Sequence, residues 1–182
     1  MKTVPSLRMR YCLSIASGTH GSFLKTALWQ HVGAHMRYPR NVEGLIAKHS
    51  GKKGYGLFAA KRYAKGELLC ATSGARIKGT DSRLTHRGVQ IGKNLFIEPK
   101  RFSAVWYLNH SCAPNCYVDD GKLYARRSIL PGEELTADYS LFIDYPSWDM
   151  PCACGEKSCR KVILPFSRLQ KNPSEFVSSY LR

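Results

Sequence analysis

The chain has 182 residues, 43% of them hydrophobic, and a formal net charge of +15 from 28 Lys and Arg against 13 Asp and Glu. That length accommodates one well-buried domain but not two of ordinary size, and the composition excludes a disordered polyelectrolyte. No apolar run approaches the ~20 residues of a membrane helix, so the sequence reads as a soluble, intracellular protein with no membrane partner.

Residues 1–41 carry Lys2, Arg8, Arg10, Lys25, Arg37 and Arg40 and no acidic side chain. This zone reads as a basic, poorly ordered N-terminal extension with one candidate helix over residues 23–35. It is a flexible arm, a targeting segment, or translation begun ahead of a true start at Met36. The overall positive charge suits a nucleic-acid platform through counterion release, and equally suits simple solubility.

Residues 42–145 form the second zone, a run of short strand patterns divided by turn signals. Strands are expected over 42–49, 56–60 and 67–72. Two hairpins follow the same logic. One joins 89–91 to 95–97 through Gly92-Lys93-Asn94, and the other joins 116–118 to 123–125 through Asp119-Asp120-Gly121. A tight turn at residues 130–133 precedes a strand over 135–137. Helix is expected only over 101–107. The third zone, residues 146–182, opens at Pro146, holds a cysteine cluster and ends in a helix pattern over 175–181 after Asn172-Pro173. The fold class is therefore mainly β, built of several small sheets.

Seven cysteines occur, at 12, 70, 112, 116, 152, 154 and 159. An odd number without a convincing signal peptide argues against a secreted disulfide framework. Cys152-Ala153-Cys154-Gly155-Glu156-Lys157-Ser158-Cys159 places three thiols on one tight turn, a pattern suited to tetrahedral zinc. Three ligands leave one coordination position, to be filled by water or by a distant cysteine, Cys112 or Cys116.

Three further strings stand out. Gly54-Tyr55-Gly56-Leu57-Phe58 has glycines that let a ligand approach the backbone. Asn109-His110-Ser111-Cys112-Ala113-Pro114-Asn115 reads as an irregular loop, where Asn side chains either satisfy backbone groups or serve function. Gly132-Glu133-Glu134-Leu135-Thr136-Ala137-Asp138-Tyr139 reads as a turn, then a strand ending in tyrosine. Each alone is ordinary.

In this order the four strings resemble the SET-domain protein-lysine methyltransferases with a zinc-binding post-SET tail. The compact layout is most similar to small bacterial-type members. The resemblance covers residues 42–162. It implies a SET fold, small sheets around a pseudoknot-like loop, with a short zinc-bound C-terminal segment, and domains at 1–41, 42–145 and 146–182. It implies S-adenosylmethionine as methyl donor, held by Gly54, Tyr55, Gly56, Asn109, His110 and Tyr139, with Val162 packing near the adenine. It makes Tyr139 the catalytic tyrosine and places Tyr107 in the cofactor or lysine channel. It makes Cys112 the fourth ligand of one structural zinc site with Cys152, Cys154 and Cys159.

Two positions depart from the family pattern. Ala137 stands where an aromatic is usual, which leaves room for higher methylation states. Trp106 stands where arginine is frequent, which removes any cofactor contact that arginine makes. The expected substrate is a basic protein, histone-like, chromatin-associated or ribosomal, methylated by a monomer in the nucleus or, in a bacterium, the cytoplasm. The competing class is a catalytically inactive SET-fold adaptor, zinc-stabilised and bound to chromatin or DNA. A thiol or zinc hydrolase using Cys112 with His110 is disfavoured, because no carboxylate is evident in the sequence to orient the histidine.

Overall fold

A computed structural model of the chain describes residues 42, 44–170 and 175–182. The chain divides into units 1–36 and 37–182, and all described residues belong to the second. The expected basic extension and the helix over 23–35 lie outside the described residues, as does the Asn172-Pro173 turn. Among the described residues, no helix is long and apolar enough to cross a membrane.

Among the described residues, twelve strands form three sheets. The largest contains β1 (Leu45–His49), β2 (Tyr55–Ala59), β10 (Glu134–Ala137), β8 (Cys116–Asp119), β9 (Lys122–Ala125) and β3 (Leu68–Ala71) in that spatial order, with β7 (Asn109–His110) also on β10. A second sheet orders β4 (Gly74–Lys78), β6 (Leu95–Pro99) and β5 (Val89–Gly92), and β11 (Met150–Pro151) pairs with β12 (Val162–Ile163). Among the described residues, the helical content is confined to 3₁₀ turns such as Ala104–Tyr107 and Tyr139–Leu141.

The alternation of side chains explains the faces. In β8, Cys116 and Val118 point inward, and in β9 Leu123 and Ala125 do so. The outward Tyr117 and Tyr124 stack across the strands at 5.2 Å. β10 is covered on both faces, and Leu135 and Ala137 have no exposed surface. It runs antiparallel to β2 and parallel to both β7 and β8. The strand that leads into the turn carrying Tyr139 is thus held by three neighbouring strands.

The expected strands over 42–49, 56–60, 67–72 and 135–137 and both hairpins are present with ends shifted by a few residues. Two expectations need correction. The helix over 101–107 contracts to the 3₁₀ turn Ala104–Tyr107, because Phe102 adopts φ +64° and breaks the helical path. The C-terminal helix over 175–181 contracts to the 3₁₀ turn Ser179–Leu181, because Phe176 sits at φ +67°. Strands β4, β7, β11 and β12 went unrecognised. β7, β11 and β12 are two residues long, too short to carry a period, and β4 carries a single buried residue, Ile77.

Candidate functional site

Cys112 follows β7 directly, while Cys152, Cys154 and Cys159 lie on the connection between β11 and β12. The fold brings all four Sγ atoms within 4.8 Å of one another. Cys152 Sγ lies 3.8 Å from Cys112 Sγ and 3.6 Å from Cys159 Sγ. Zinc–sulfur bonds of about 2.3 Å in a tetrahedron place sulfurs about 3.8 Å apart, so the cluster has the dimensions of a closed zinc site. Cys116, the other distant candidate, has no exposed surface, lies outside the cluster and packs in the main core.

Cys112 Sγ is also approached by two N–H groups. The backbone N–H of Arg160 donates to it at 3.4 Å, and His110 Nε2 lies 3.3 Å away. Burial pushes the His110 pKa down to about 4 against the opposing pull of Asp138, so the ring is neutral at physiological pH. Its Nδ1 accepts the N–H of Tyr139 at 3.3 Å, which puts the ring proton on Nε2, facing the sulfur. Two donors aimed at one sulfur suit a thiolate, the form a metal ligand takes.

A second connection runs through Arg160. Its Nη1 and Nη2 donate to Asp138 Oδ2 and Oδ1, both at 2.6 Å, and Nη2 also donates to Ser140 Oγ at 3.2 Å. The Asp138 carboxylate holds the guanidinium pKa above its ordinary value. Asp138 also accepts the Ser140 N–H at 3.1 Å, capping the 3₁₀ turn that begins with Tyr139. The cysteine segment is therefore tied to the residues on both sides of Tyr139.

The glycine string turns from the 3₁₀ turn Gly51–Lys53 into β2. Gly54 sits at φ +81°, ψ −118°, which only glycine adopts without strain. At Gly56 a Cβ would fall 2.5 Å from Glu134 Oε1 and 3.2 Å from Asn109 Nδ2. That crowding reflects a fixed arrangement: Asn109 Nδ2 donates to the Tyr55 carbonyl at 3.1 Å and to Glu134 Oε1 at 2.8 Å. Asn115, by contrast, serves the backbone. It donates to Glu134 O and accepts from Thr136 N, holding β10 against the loop.

A cleft of about 190 Å³ is lined by Arg87, Trp106, Asn109, Tyr139, Phe142 and Met150, among others. Tyr139 donates its O–H to the Leu108 carbonyl at 2.6 Å, and burial raises its pKa well above that of free tyrosine. Of the residues expected at the cofactor, Asn109 and Tyr139 line this cleft, and His110 packs edge-on to Tyr139 with ring centroids 5.3 Å apart. Gly54, Tyr55 and Gly56 lie behind Asn109. Tyr107 is not among the lining residues. Its ring meets Tyr55 edge-on at 6.3 Å, and its hydroxyl is buried with no hydrogen-bond partner among the described residues. Val162 does not line the cleft either; it is 42% exposed on β12, whereas Met150 on β11 does line it. The roles of Asp138, Ser140, Glu134 and Arg87 went unread in the sequence, since their partners lie 20 or more residues away or carry no motif.

Residues 54–140 match the SET domain family. The chain therefore carries a SET domain, mainly β, with a four-cysteine cluster near its C-terminus placed as a post-SET site. It is 36% identical over 129 residues to the histone-lysine N-methyltransferase trithorax of Drosophila virilis, a match covering 60% of this chain and 3% of that protein. It is 36% identical over 140 residues to the human histone-lysine N-methyltransferase 2B, covering 66% of this chain and 5% of that one. The chain thus spans only a small fraction of the length of these relatives. Among solved structures it resembles KRYPTONITE in complex with mCHG DNA and SAH, with a TM-score of 0.53 and 26% identity, over 65% of this chain and 28% of that one.

Proposed function

We propose that the protein is an S-adenosylmethionine-dependent protein-lysine N-methyltransferase whose post-SET tail folds around one structural zinc ion. The observation that carries this reading is that Tyr139 and Asn109 share one cleft while the four-cysteine cluster is tied through His110 and Arg160 to the residues flanking Tyr139, on a SET fold whose relatives are named for that chemistry. The residues suit both groups. Four clustered sulfurs match zinc in number and spacing, and the cleft beside Tyr139 offers a donor mostly apolar walls with Asn109 as a polar contact.

When bound, S-adenosylmethionine would supply an electrophilic methyl group on a sulfonium, whose carbon a neutral lysine amine would attack as the carbon–sulfur bond breaks and the thioether leaves. The chain's part is to hold and orient. Because the Tyr139 proton is committed to the Leu108 carbonyl, its oxygen lone pairs are left to accept an N–H from the amine and aim the nitrogen. With its pKa raised by burial, Tyr139 stays neutral and is not the base. The lysine proton must leave through water, since a free amine of pKa ~10.4 is almost wholly protonated at neutral pH. Asn109 fixes the Tyr55 carbonyl, and His110 fixes the backbone of Tyr139, so the donor-binding and tyrosine-bearing segments share one support.

The substrate class we propose is a basic protein of the histone kind, in keeping with the names of the relatives. A chain of net charge +15 does not attract a free basic peptide, so an anionic nucleic acid that presents the lysine fits better than a bare tail. Calorimetry with S-adenosylmethionine, followed by labelled methyl transfer to histones alone and to nucleosomes, tests the reading. Saturable binding and transfer to lysine support it. Absence of any donor binding by the zinc-loaded protein leaves the inactive adaptor.

A further inference from the structure

The cleft beside Tyr139 is lined mostly by apolar and neutral groups. The exception is Arg87; among the described lining residues it is the only fully charged side chain. Its neighbour His86 also lines the cleft, but burial and the Arg87 charge lower its pKa, so it is neutral near pH 7. The Arg87 guanidinium lies over the Trp106 ring, 4.4 Å from the centroid, and Nη1 donates to the Trp106 carbonyl at 2.6 Å. Among the described residues it has no carboxylate partner. One of its five N–H groups is committed, and the stacked ring and carbonyl fix the plane in which the other four are offered.

A fixed, unpaired cation facing a cleft is a site for an anion. We propose that Arg87, held on Trp106, binds the carboxylate of the methionyl group of S-adenosylmethionine; this rests on the donor-binding function proposed above. The donor carries three charges, a carboxylate, an ammonium and a sulfonium. Near Arg87 the two cationic groups are repelled and the carboxylate is attracted, so the guanidinium selects one orientation of the molecule in the cleft. Tyr139 and Asn109 line the same cleft, and the sulfonium end is directed away from the guanidinium. A planar guanidinium can meet a carboxylate through two parallel hydrogen bonds. In this arrangement the tryptophan at 106 takes no charge role of its own; it is the platform on which a different arginine is mounted.

The test is a comparison of ligands by calorimetry on the zinc-loaded chain. S-adenosylmethionine, S-adenosylhomocysteine and decarboxylated S-adenosylmethionine are titrated into wild type, Arg87→Met and Arg87→Lys. Methionine keeps an apolar stem over Trp106 while removing the charge, and thermal melting checks that each variant is folded. Arg87→Met should weaken both carboxylate-bearing ligands at least about tenfold and leave the decarboxylated one within about twofold of wild type, with Arg87→Lys intermediate. Equal loss for all three ligands, or no loss for any, overturns the assignment while leaving the methyltransferase reading intact. Wild type that binds none of the three overturns both.

Discussion

Arg160, the residue after the last cysteine of the tail, closes on Asp138, the residue before Tyr139, through two hydrogen bonds of 2.6 Å each. Asp138 is 5% exposed, and its other contacts are the Ser140 N–H and the neutral ring of His110. The fork is thus the charged link between the cysteine-bearing segment and the turn that carries the candidate catalytic tyrosine.

Asp138→Asn should therefore cost both stability and function. It leaves the guanidinium with a neutral partner and weakens the turn cap. Breaking a buried pair costs about 3–5 kcal/mol, but the Arg160 side chain is 32% exposed and partly solvated, which brings the expectation to about 2 kcal/mol. Urea unfolding of the zinc-loaded protein measures it. An unchanged midpoint would mean that the fork contributes no net stability.

Metal removal should be readable in thiol chemistry. The zinc-loaded chain is expected to contain one zinc per chain, and chelation should release four thiols to a disulfide reagent at pH 8. Cys116 should stay silent in both states, because burial in the core pushes its thiol up to about 12. Donor affinity should fall with the metal, since Cys112 lies two residues after His110 and contacts its ring. Release of fewer than four thiols on chelation would remove Cys112 from the ligand set.

Much of this site was legible in the sequence where chemistry is local. Cys152, Cys154 and Cys159 declare themselves within eight residues, and Gly54 marks a turn that the structure contains, while the groups crowding Gly56 in the structure are the Glu134, Ser50 and Asn109 side chains. The hairpins at Asp120-Gly121 and Lys93-Asn94 follow from turn chemistry alone. What was not legible depends on distant partners. Arg87 and Trp106 are 19 residues apart, and no spacing rule says that one lies on the other. The choice between Cys112 and Cys116 is likewise undetermined by spacing, since both lie about 40 residues before the cluster. In the structure it follows from β8, where Cys116 is turned into the core by strand alternation. The helix expectation over 101–107 failed because Phe102 takes a left-handed backbone that no residue-type preference foretells.

Gly56→Ala probes the crowded contact behind Asn109. The new methyl group would meet Glu134 Oε1 at 2.5 Å and Ser50 Cβ at 3.0 Å, so the Glu134–Asn109 pair has to move. Overpacking of this kind costs about 1–3 kcal/mol, and the displaced Asn109 would no longer hold the Tyr55 carbonyl. Donor affinity should fall at least about tenfold while the fold survives, as a small substitution cost allows. Calorimetry on a variant with a wild-type near-ultraviolet spectrum tests this. Undiminished affinity would separate the Asn109–Tyr55 contact from donor binding.

Tyr139→Phe isolates the hydroxyl. The phenol donates to Leu108 O, so its removal leaves that carbonyl unpaired and should cost about 1 kcal/mol of stability. Turnover should fall at least roughly tenfold with donor affinity retained, because the lost group orients the amine and does not hold the donor. The pH profile distinguishes positioning from base catalysis. Burial raises the Tyr139 pKa above the free value of about 10, so the folded group keeps its proton to higher pH than free tyrosine does. If the phenol only positions, kcat/KM in wild type should climb with pH as the substrate amine loses its proton, with no descending limb up to about pH 10. The phenylalanine variant should show the same slope displaced downward. A descending limb below pH 9 in wild type that vanishes in the variant would mean that Tyr139 ionises within the working range, and the neutral-phenol role would fall.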